Sequence, residues 1–347
     1  MRWYEFIKRI LIDPEINPKF LELPNENLFR AQITIPNQIF LPNICSKYPV
    51  YIQRYLNPKK IKGQGIFHSS YYRTVSNPNI PNITTLHDFT YEYFRNGLAK
   101  FVHHRQKESA IKNSKKIICN SYYTKTDLLK FYPKISPKNV NVIYSGVDIV
   151  YEALSNKNER NLKDLIDFSS GEYVLFIGDR KSLYKNFKTT IKACHFANVP
   201  LVMVGGGQLS KNENSYLRET LNSNNFKLLL NISNDQLNII YNHALCLLYP
   251  SLYEGFGIPI IEAQRAGCPV ISTNFSSIPE VAGKGAILLT DVTEFQIADM
   301  IKMLMKDSAN VHSIREEGFK NSQRFSWDKC YQETKQVYKE TYEEFIG

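Results

Sequence analysis

At 347 residues the chain is long enough for two domains with separate cores. No apolar run approaches the roughly 20 residues a membrane-spanning helix needs, and nothing resembles a secretory leader. The six cysteines (Cys45, Cys119, Cys194, Cys246, Cys268, Cys330) include no C-x-x-C pair, which argues against a zinc site and for reduced, mostly buried thiols in a cytoplasmic protein.

The net charge of +10 is unevenly placed: residues 1–150 carry 22 Lys and Arg against 10 Asp and Glu, and the remainder 21 against 23. A nucleic-acid partner has no recognisable module to accompany this charge and is not expected. An anionic membrane leaflet, a phosphorylated lipid acceptor, or a solvated lysine-rich surface stay open.

The chain opens on Met1–Ile12, where Trp3, Phe6, Ile7, Ile10 and Leu11 share one helical face. That predicts a core-facing helix, with a membrane-surface helix as the alternative. Short strands are expected at 65–68, 83–87, 116–120 and 140–145, with helices at 100–113 and 124–131. The alternation argues for a parallel sheet with crossover helices in a first domain, residues 1–150. Residues 151–171 are polar and read as a linker with a peripheral helix.

A second domain, 172–325, is clearer. Strands at 173–178, 200–205, 227–231, 246–250, 269–273 and 286–289 alternate with helices at 186–197, 213–222, 234–244, 257–266 and 293–306. This is a doubly wound α/β pattern, whose ligand belongs at the carboxyl ends of the strands. Residues 326–347 close the chain with a long helical pattern.

The densest signal is the run from Glu254 to Val281, EGFGIPIIEAQRAGCPVISTNFSSIPEV. It follows a buried strand. Gly255 and Gly257 supply a tight turn, Pro259 suits the first turn of a helix, and Gly267 stops it. Glu254 leaves the turn and Glu262 the helix, with backbone amides of Phe256, Gly257 and Ile258 between them at the positive helix end. Such a site suits a diphosphate flanked by hydroxyls; two solvated glutamates at a helix start remain the alternative. Upstream, a strand ends at Gly178 and is followed by Arg180 and Lys185, a fork and a point charge able to meet a diphosphate. A strand ending in His87-Asp88 can face a ligand or hold a structural histidine. Gly205-Gly206-Gly207 makes a turn at a strand end, suited to backbone approach.

The run resembles the E-x7-E signature of the retaining GT-B glycosyltransferases of family four (glycosyl transferases group 1), which reads EGFGLPxxEAxAxGxPVIxSxxxxxPEV. Weaker echoes cover residues 66 to about 335. The resemblance implies a GT-B fold: two Rossmann-like α/β domains facing each other across a cleft, the C-terminal helix crossing back to the first domain. It assigns Glu254 to the donor sugar hydroxyls and Glu262 to the ribose. Arg180 and Lys185 take the leaving diphosphate, and His87 the donor sugar near the reacting carbon. Gly255, Phe256, Gly257, Ile258 and Gly205 fall at the nucleotide, with Asn231 at the base. Apart from the resemblance, Arg73, after the strand ending at His68, could line the acceptor side or form a surface salt bridge; in the family, Ser121 or Thr124 caps a helix.

Family members open with a strand and a glycine-rich loop ahead of a helix like Met1–Ile12, and these are absent here. The expectation is that the sequence begins late.

The implied reaction is retaining transfer of a hexosyl unit from a nucleotide-diphosphate sugar to a glycan or lipid-linked glycan in surface polysaccharide synthesis, at the cytoplasmic face of a membrane. GDP-mannose is the donor first favoured, with UDP- and dTDP-sugars open. No prosthetic group or metal is implied: the sequence has no Asp-x-Asp and no P-loop, leaving the charge to Arg180, Lys185 and helix-end amides. A donor-binding scaffold of the same fold and a nucleotide-sugar epimerase are the alternatives.

Overall fold

The computed structural model describes residues 2–22, 28–31, 33–41, 49–53, 55–58, 61–155 and 159–345. It divides into two compact units, Met1–Gly146 with Ser326–Gly347, and Val147–Phe325.

The first unit holds a four-stranded parallel sheet in the order β1 (Phe67–Ser69), β2 (Asn82–Leu86), β3 (Ser114–Cys119), β4 (Val140–Val142). Before β2 lies α1 (Arg2–Ile10); α2 (Thr90–Phe94) and α3 (Gly97–Asn113) link β2 to β3, and α4 (Tyr122–Phe131) leads to β4. Every residue of β2 is buried, as expected for a parallel strand covered on both faces. The α4 start is capped by Ser121, whose Oγ accepts the Thr124 N–H at 3.0 Å.

Of the apolar face expected on α1, only Phe6 is fully buried, between Tyr331 and Tyr338 at ring distances of 5.2 and 6.1 Å. Trp3, Phe6, Ile7 and Ile10 all border a cavity. Among the described residues no strand precedes β1. Strand β4 stops three residues short of the expected Ser145. Just beyond, at Gly146, a Cβ would lie 2.2 Å from the Trp327 backbone N, so only glycine permits this approach.

The second unit has a six-stranded parallel sheet in the order β10-β9-β8-β5-β6-β7. Its strands are β5 (Val174–Ile177), β6 (Leu201–Val204), β7 (Phe226–Leu229), β8 (Cys246–Tyr249), β9 (Val270–Thr273) and β10 (Ile287–Leu289). Each is one or two residues shorter than its apolar run; at β5, β6, β8 and β9 a flanking Pro or Gly is among the residues that leave the ladder. The helices are α5 (Phe187–Ala197), α6 (Lys211–Leu221), α7 (Asn234–His243), α8 (Ile258–Arg265), α9 (Ile278–Ala282), α10 (Glu294–Lys306) and α11 (Ser308–Ser322). The closing helix α12 (Trp327–Phe345) belongs to the first unit, where Trp327, Cys330 and Val337 pack on Ile83, Ile118 and Ile143.

Two expectations need correction. Residues 151–171, expected as a linker with a peripheral helix, do carry a short helix at Glu159–Lys163, but Tyr151, Leu162 and Ile166 are buried and the segment lies within the second unit. It is strapped to α7, where Asn242 accepts the Leu154 N–H at 2.9 Å and donates to the Glu152 carbonyl at 2.9 Å. Helix α11 was also not anticipated. Its polar sequence has few apolar residues, and it is held where a Cβ on Gly285 would come 2.2 Å from the Gly318 Cα. The five described cysteines are all buried; Cys45 lies outside the described residues.

Candidate active site

The sheet order makes β5 and β8 neighbours although three strand-to-strand connections separate them in sequence, so the strand order reverses here. At such a switch point the loops beyond the two carboxyl ends diverge and leave room for a ligand. The loop after β5 carries Arg180 and Lys185; the loop after β8 carries Glu254.

Lys185 is nearly buried. Its Nζ donates to the Tyr249 Oη at 3.1 Å, lies 4.9 Å from that ring's centroid, and forms an ion pair with Glu254. The two side chains meet because Asn186, left-handed at φ 53°, turns the chain into α5 and donates to the Pro250 carbonyl at 2.9 Å.

Arg180 is also buried. Its terminal nitrogens donate to the carbonyls of Gly205 and, at 2.7 Å, Gly207. Its Nε lies 3.4 Å from Glu213. All three glycines have positive φ, and a Cβ on Gly206 would fall 2.7 Å from the Arg180 Nη1 and 2.9 Å from the Gly178 carbonyl. The glycine turn and the guanidinium thus form one unit beside the end of β5.

Glu254 is fixed from below by two serines. Ser276 Oγ accepts the Glu254 N–H at 2.8 Å, while Ser277 Oγ donates to the carbonyls of Glu254 at 2.8 Å and Phe256 at 3.1 Å. The turn ends at Gly257, φ 101°, which starts α8 without a side-chain cap. The helix therefore opens on the Ile258 amide, then Pro259, with its positive end directed out of the turn. Phe256 itself packs on Phe325, ring to ring at 5.6 Å.

Glu262 projects from the first turns of α8 into a buried setting. The Tyr241 Oη donates to its Oε2 at 3.1 Å, and Tyr151 also hydrogen-bonds it. Burial outweighs both bonds and raises its pKa from 4.5 to about 7. Asn231, exposed and left-handed at φ 55°, follows β7, the edge strand beside β6.

In the first unit His87 directly follows β2, and the Asp88 carboxylate accepts the Thr90 N–H at 3.0 Å, shaping the start of α2. Lys107, fully buried, donates to the Asp88 carbonyl at 2.9 Å and to Glu92 at 2.8 Å. His87 and Arg73 both line a cavity of about 1330 Å³ bordered by α1, β1 and α12. His68 is fixed between Tyr338 Oη at 2.6 Å and Thr85 Oγ1 at 2.8 Å.

Several residues in these constellations escaped the sequence reading: Tyr249, Tyr241, Tyr151, Glu213 and the Ser276-Ser277 pair. Only the serines had a signal, since they fall inside the motif-bearing run. The tyrosines reach the site from separate elements, which linear spacing does not show.

Two family models match the chain: Glycosyl transferases group 1 over residues 157–321, and Glycosyltransferase Family 4 over residues 28–151. The chain belongs to glycosyltransferase family 4. Within the family, O-antigen chain mannosyltransferase B of Escherichia coli is 32% identical over 108 residues, which are 31% of this chain and 28% of its own length. An uncharacterized glycosyltransferase of Methanocaldococcus jannaschii is 26% identical over 264 residues, 76% of this chain and 69% of its own. The match thus spans 28% of the first relative and 69% of the second. Sucrose-phosphate synthase from Thermosynechococcus elongatus aligns with a TM-score of 0.64 at 19% identity, over 77% of this chain and 69% of that one. The Anabaena protein HepE, solved with UDP-glucose, aligns with a TM-score of 0.62 at 21% identity, over 74% of this chain and 72% of that one. At these identities the likeness carries the fold, which is GT-B with two Rossmann-like parallel sheets.

Proposed function

We propose that the chain transfers a hexosyl unit from a nucleotide-diphosphate sugar to a hydroxyl of a glycan or lipid-linked glycan, with retention at the anomeric carbon. The observation that carries this reading is the Lys185–Glu254 pair beside the uncapped start of α8, at the switch point of the second sheet. A cation and helix-end amides suit the diphosphate, and the adjacent carboxylate suits sugar hydroxyls.

In this reading the bond from the anomeric carbon to the diphosphate oxygen breaks while Lys185 and the α8 amides stabilise the departing charge. Arg180 adds positive charge and holds the Gly205–Gly207 turn for the nucleotide. The acceptor oxygen bonds the anomeric carbon from the same face, and its proton passes to the leaving phosphate. Glu254 orients the sugar, Glu262 accepts from the ribose, and His87 serves the donor sugar, as the family resemblance assigns. The cavity holding Arg73 and His87 is offered as the acceptor recess, with Arg73 for a phosphate on the acceptor.

The mannosyltransferase names among the relatives favour GDP-mannose, and the UDP-glucose bound to HepE keeps UDP-sugars in the panel. The test is thermal unfolding with GDP-, UDP- and dTDP-sugars. A donor at about 100 times its Kd adds about 2.7 kcal/mol to the state that binds it, a rise of several degrees for a unit of this size. If no sugar of any of the three nucleotides raises the transition, the transferase reading is refuted.

A further inference from the structure

The first two turns of α3 invert the usual arrangement of a surface helix. Leu98, Phe101, Val102 and Arg105 follow one another at helical spacing on one face, and that face is turned to solvent: Leu98 is 77% exposed and Phe101 57%. Apolar residues at this spacing ordinarily face a core. Here the core side of α3 is held further along, by buried Lys107, Ala110 and Ile111. Tyr93 and Phe94, at the end of α2, extend the exposed apolar surface.

The charges around this surface are sorted by sign. Arg95 and Arg105 are exposed, and the Arg105 guanidinium lies over the Phe101 ring at 5.4 Å. Lys130 of α4 lies over the Tyr93 ring at 5.4 Å. Lys100 donates to the Glu92 carbonyl at 2.9 Å. The nearby acids are withdrawn: Glu92 is buried against Lys107 at 2.8 Å with His104 at 3.6 Å, and Asp127 accepts from the Tyr93 hydroxyl at 2.7 Å. Glu108, one turn beyond Arg105, is paired with Lys112 at 2.6 Å. What reaches solvent is an apolar ridge rimmed by cations, in the half of the sequence that holds the whole positive excess.

We propose that this ridge, Tyr93 to Arg105 with Lys130, docks on an anionic lipid leaflet. Apolar side chains enter the headgroup boundary while arginine and lysine stems reach the phosphates, the chemistry of an interfacial helix. A second copy of the chain fits less well, because a twofold contact sets the same patch against itself and the same cations face each other. The proposal is independent of the transfer reaction, and its test needs no donor.

The test is co-sedimentation of the full chain with vesicles of phosphatidylcholine alone and of phosphatidylcholine mixed with phosphatidylglycerol. The protein is expected to pellet with the anionic vesicles only, and less as salt rises. Leu98→Ser/Phe101→Ser should weaken partitioning by more than ~10-fold. Arg95→Gln/Arg105→Gln should weaken it by roughly 30-fold, at about fivefold per cation. The two pairs act through different forces, so misfolding of one, seen in its circular dichroism, leaves the other to decide. Failure of the wild type to pellet with anionic vesicles overturns the proposal, as does equal pelleting with both vesicle types. A dimer by light scattering that Leu98→Ser/Phe101→Ser dissociates would assign the ridge to a second copy and overturn it too.

Discussion

Glu262→Gln isolates the one carboxyl, among the described residues of the second unit, that burial drives toward neutrality. In the unfolded chain this group titrates near 4.5, and in the folded chain near 7. Between those values the folded state holds a proton that the unfolded state has released, so stability falls as pH rises through the window. At about 1.4 kcal/mol per pH unit, the full window is worth roughly 3 kcal/mol. Glutamine keeps an oxygen to accept from Tyr241 and Tyr151 and cannot titrate. The measurement is urea unfolding of both proteins by far-UV circular dichroism from pH 4 to 8, taken as the wild-type minus variant difference so that other titrating groups cancel. The difference should move against the wild type by roughly 3 kcal/mol across the window and be flat outside it. Parallel profiles would show that Glu262 titrates as an exposed carboxyl and would remove the basis for a buried acceptor. The same titration predicts that nucleotide affinity rises with pH through 7, because the ionised carboxylate is the stronger acceptor for a ribose hydroxyl.

Lys185→Met leaves Glu254 without its cation in a site where both side chains are about nine-tenths covered. A loss of about 2–4 kcal/mol in urea unfolding is expected, largely recovered in Lys185→Met/Glu254→Gln, while donor turnover stays lost in both. Gly206→Ala places a Cβ 2.7 Å from the Arg180 Nη1 at φ 73°. A loss of about 2–3 kcal/mol and weaker donor binding by calorimetry are expected, and an unchanged variant would show the glycine turn to be slack. Lys107→Met removes the buried cation that holds Asp88 and Glu92. A loss of about 3–5 kcal/mol is expected, read by Trp fluorescence because both tryptophans, Trp3 and Trp327, lie in the first unit. Adding Glu92→Gln should restore part of it.

The fold was legible where one kind of pattern dominates. The strands of the second unit are short β-branched or leucine-rich runs bounded by Gly and Pro, and six of them alternate with helical periods. That leaves few arrangements besides a doubly wound sheet. The first unit was less legible because its strands are shorter and its core is completed from a distance. The sheet face formed by Ile83, Ile118 and Ile143 is covered by Trp327, Cys330 and Val337, whose distance in sequence no local pattern reveals. Helix α11 was missed for a related reason. Its hold on the unit is a glycine-to-glycine approach and a side-chain network, Asn321 donating to Gln264 at 2.8 Å and to the Val281 carbonyl at 2.7 Å, rather than an apolar stripe.

At the candidate site the charged residues were legible and their states were not. The sequence marks Arg180, Lys185, Glu254 and Glu262 as four similar ionisable groups beyond strand ends. The structure separates them by their neighbours. Lys185 and Glu254 offset each other's charge, the terminal nitrogens of Arg180 donate to glycine carbonyls, and Glu262 accepts from buried tyrosines. Under the proposed function, a diphosphate entering here would compete with Glu254 for Lys185, and a shift of Lys185 toward phosphate would free the carboxylate for sugar hydroxyls. Both halves of the donor would then be recognised by one exchange. Nucleotide alone should therefore leave Glu254 unsatisfied, and a nucleotide sugar should bind more tightly than its nucleoside diphosphate. Calorimetry on wild type and Glu254→Gln tests this: the preference for the sugar-bearing ligand should shrink in the variant, and an undiminished preference would show that Glu254 does not read the sugar.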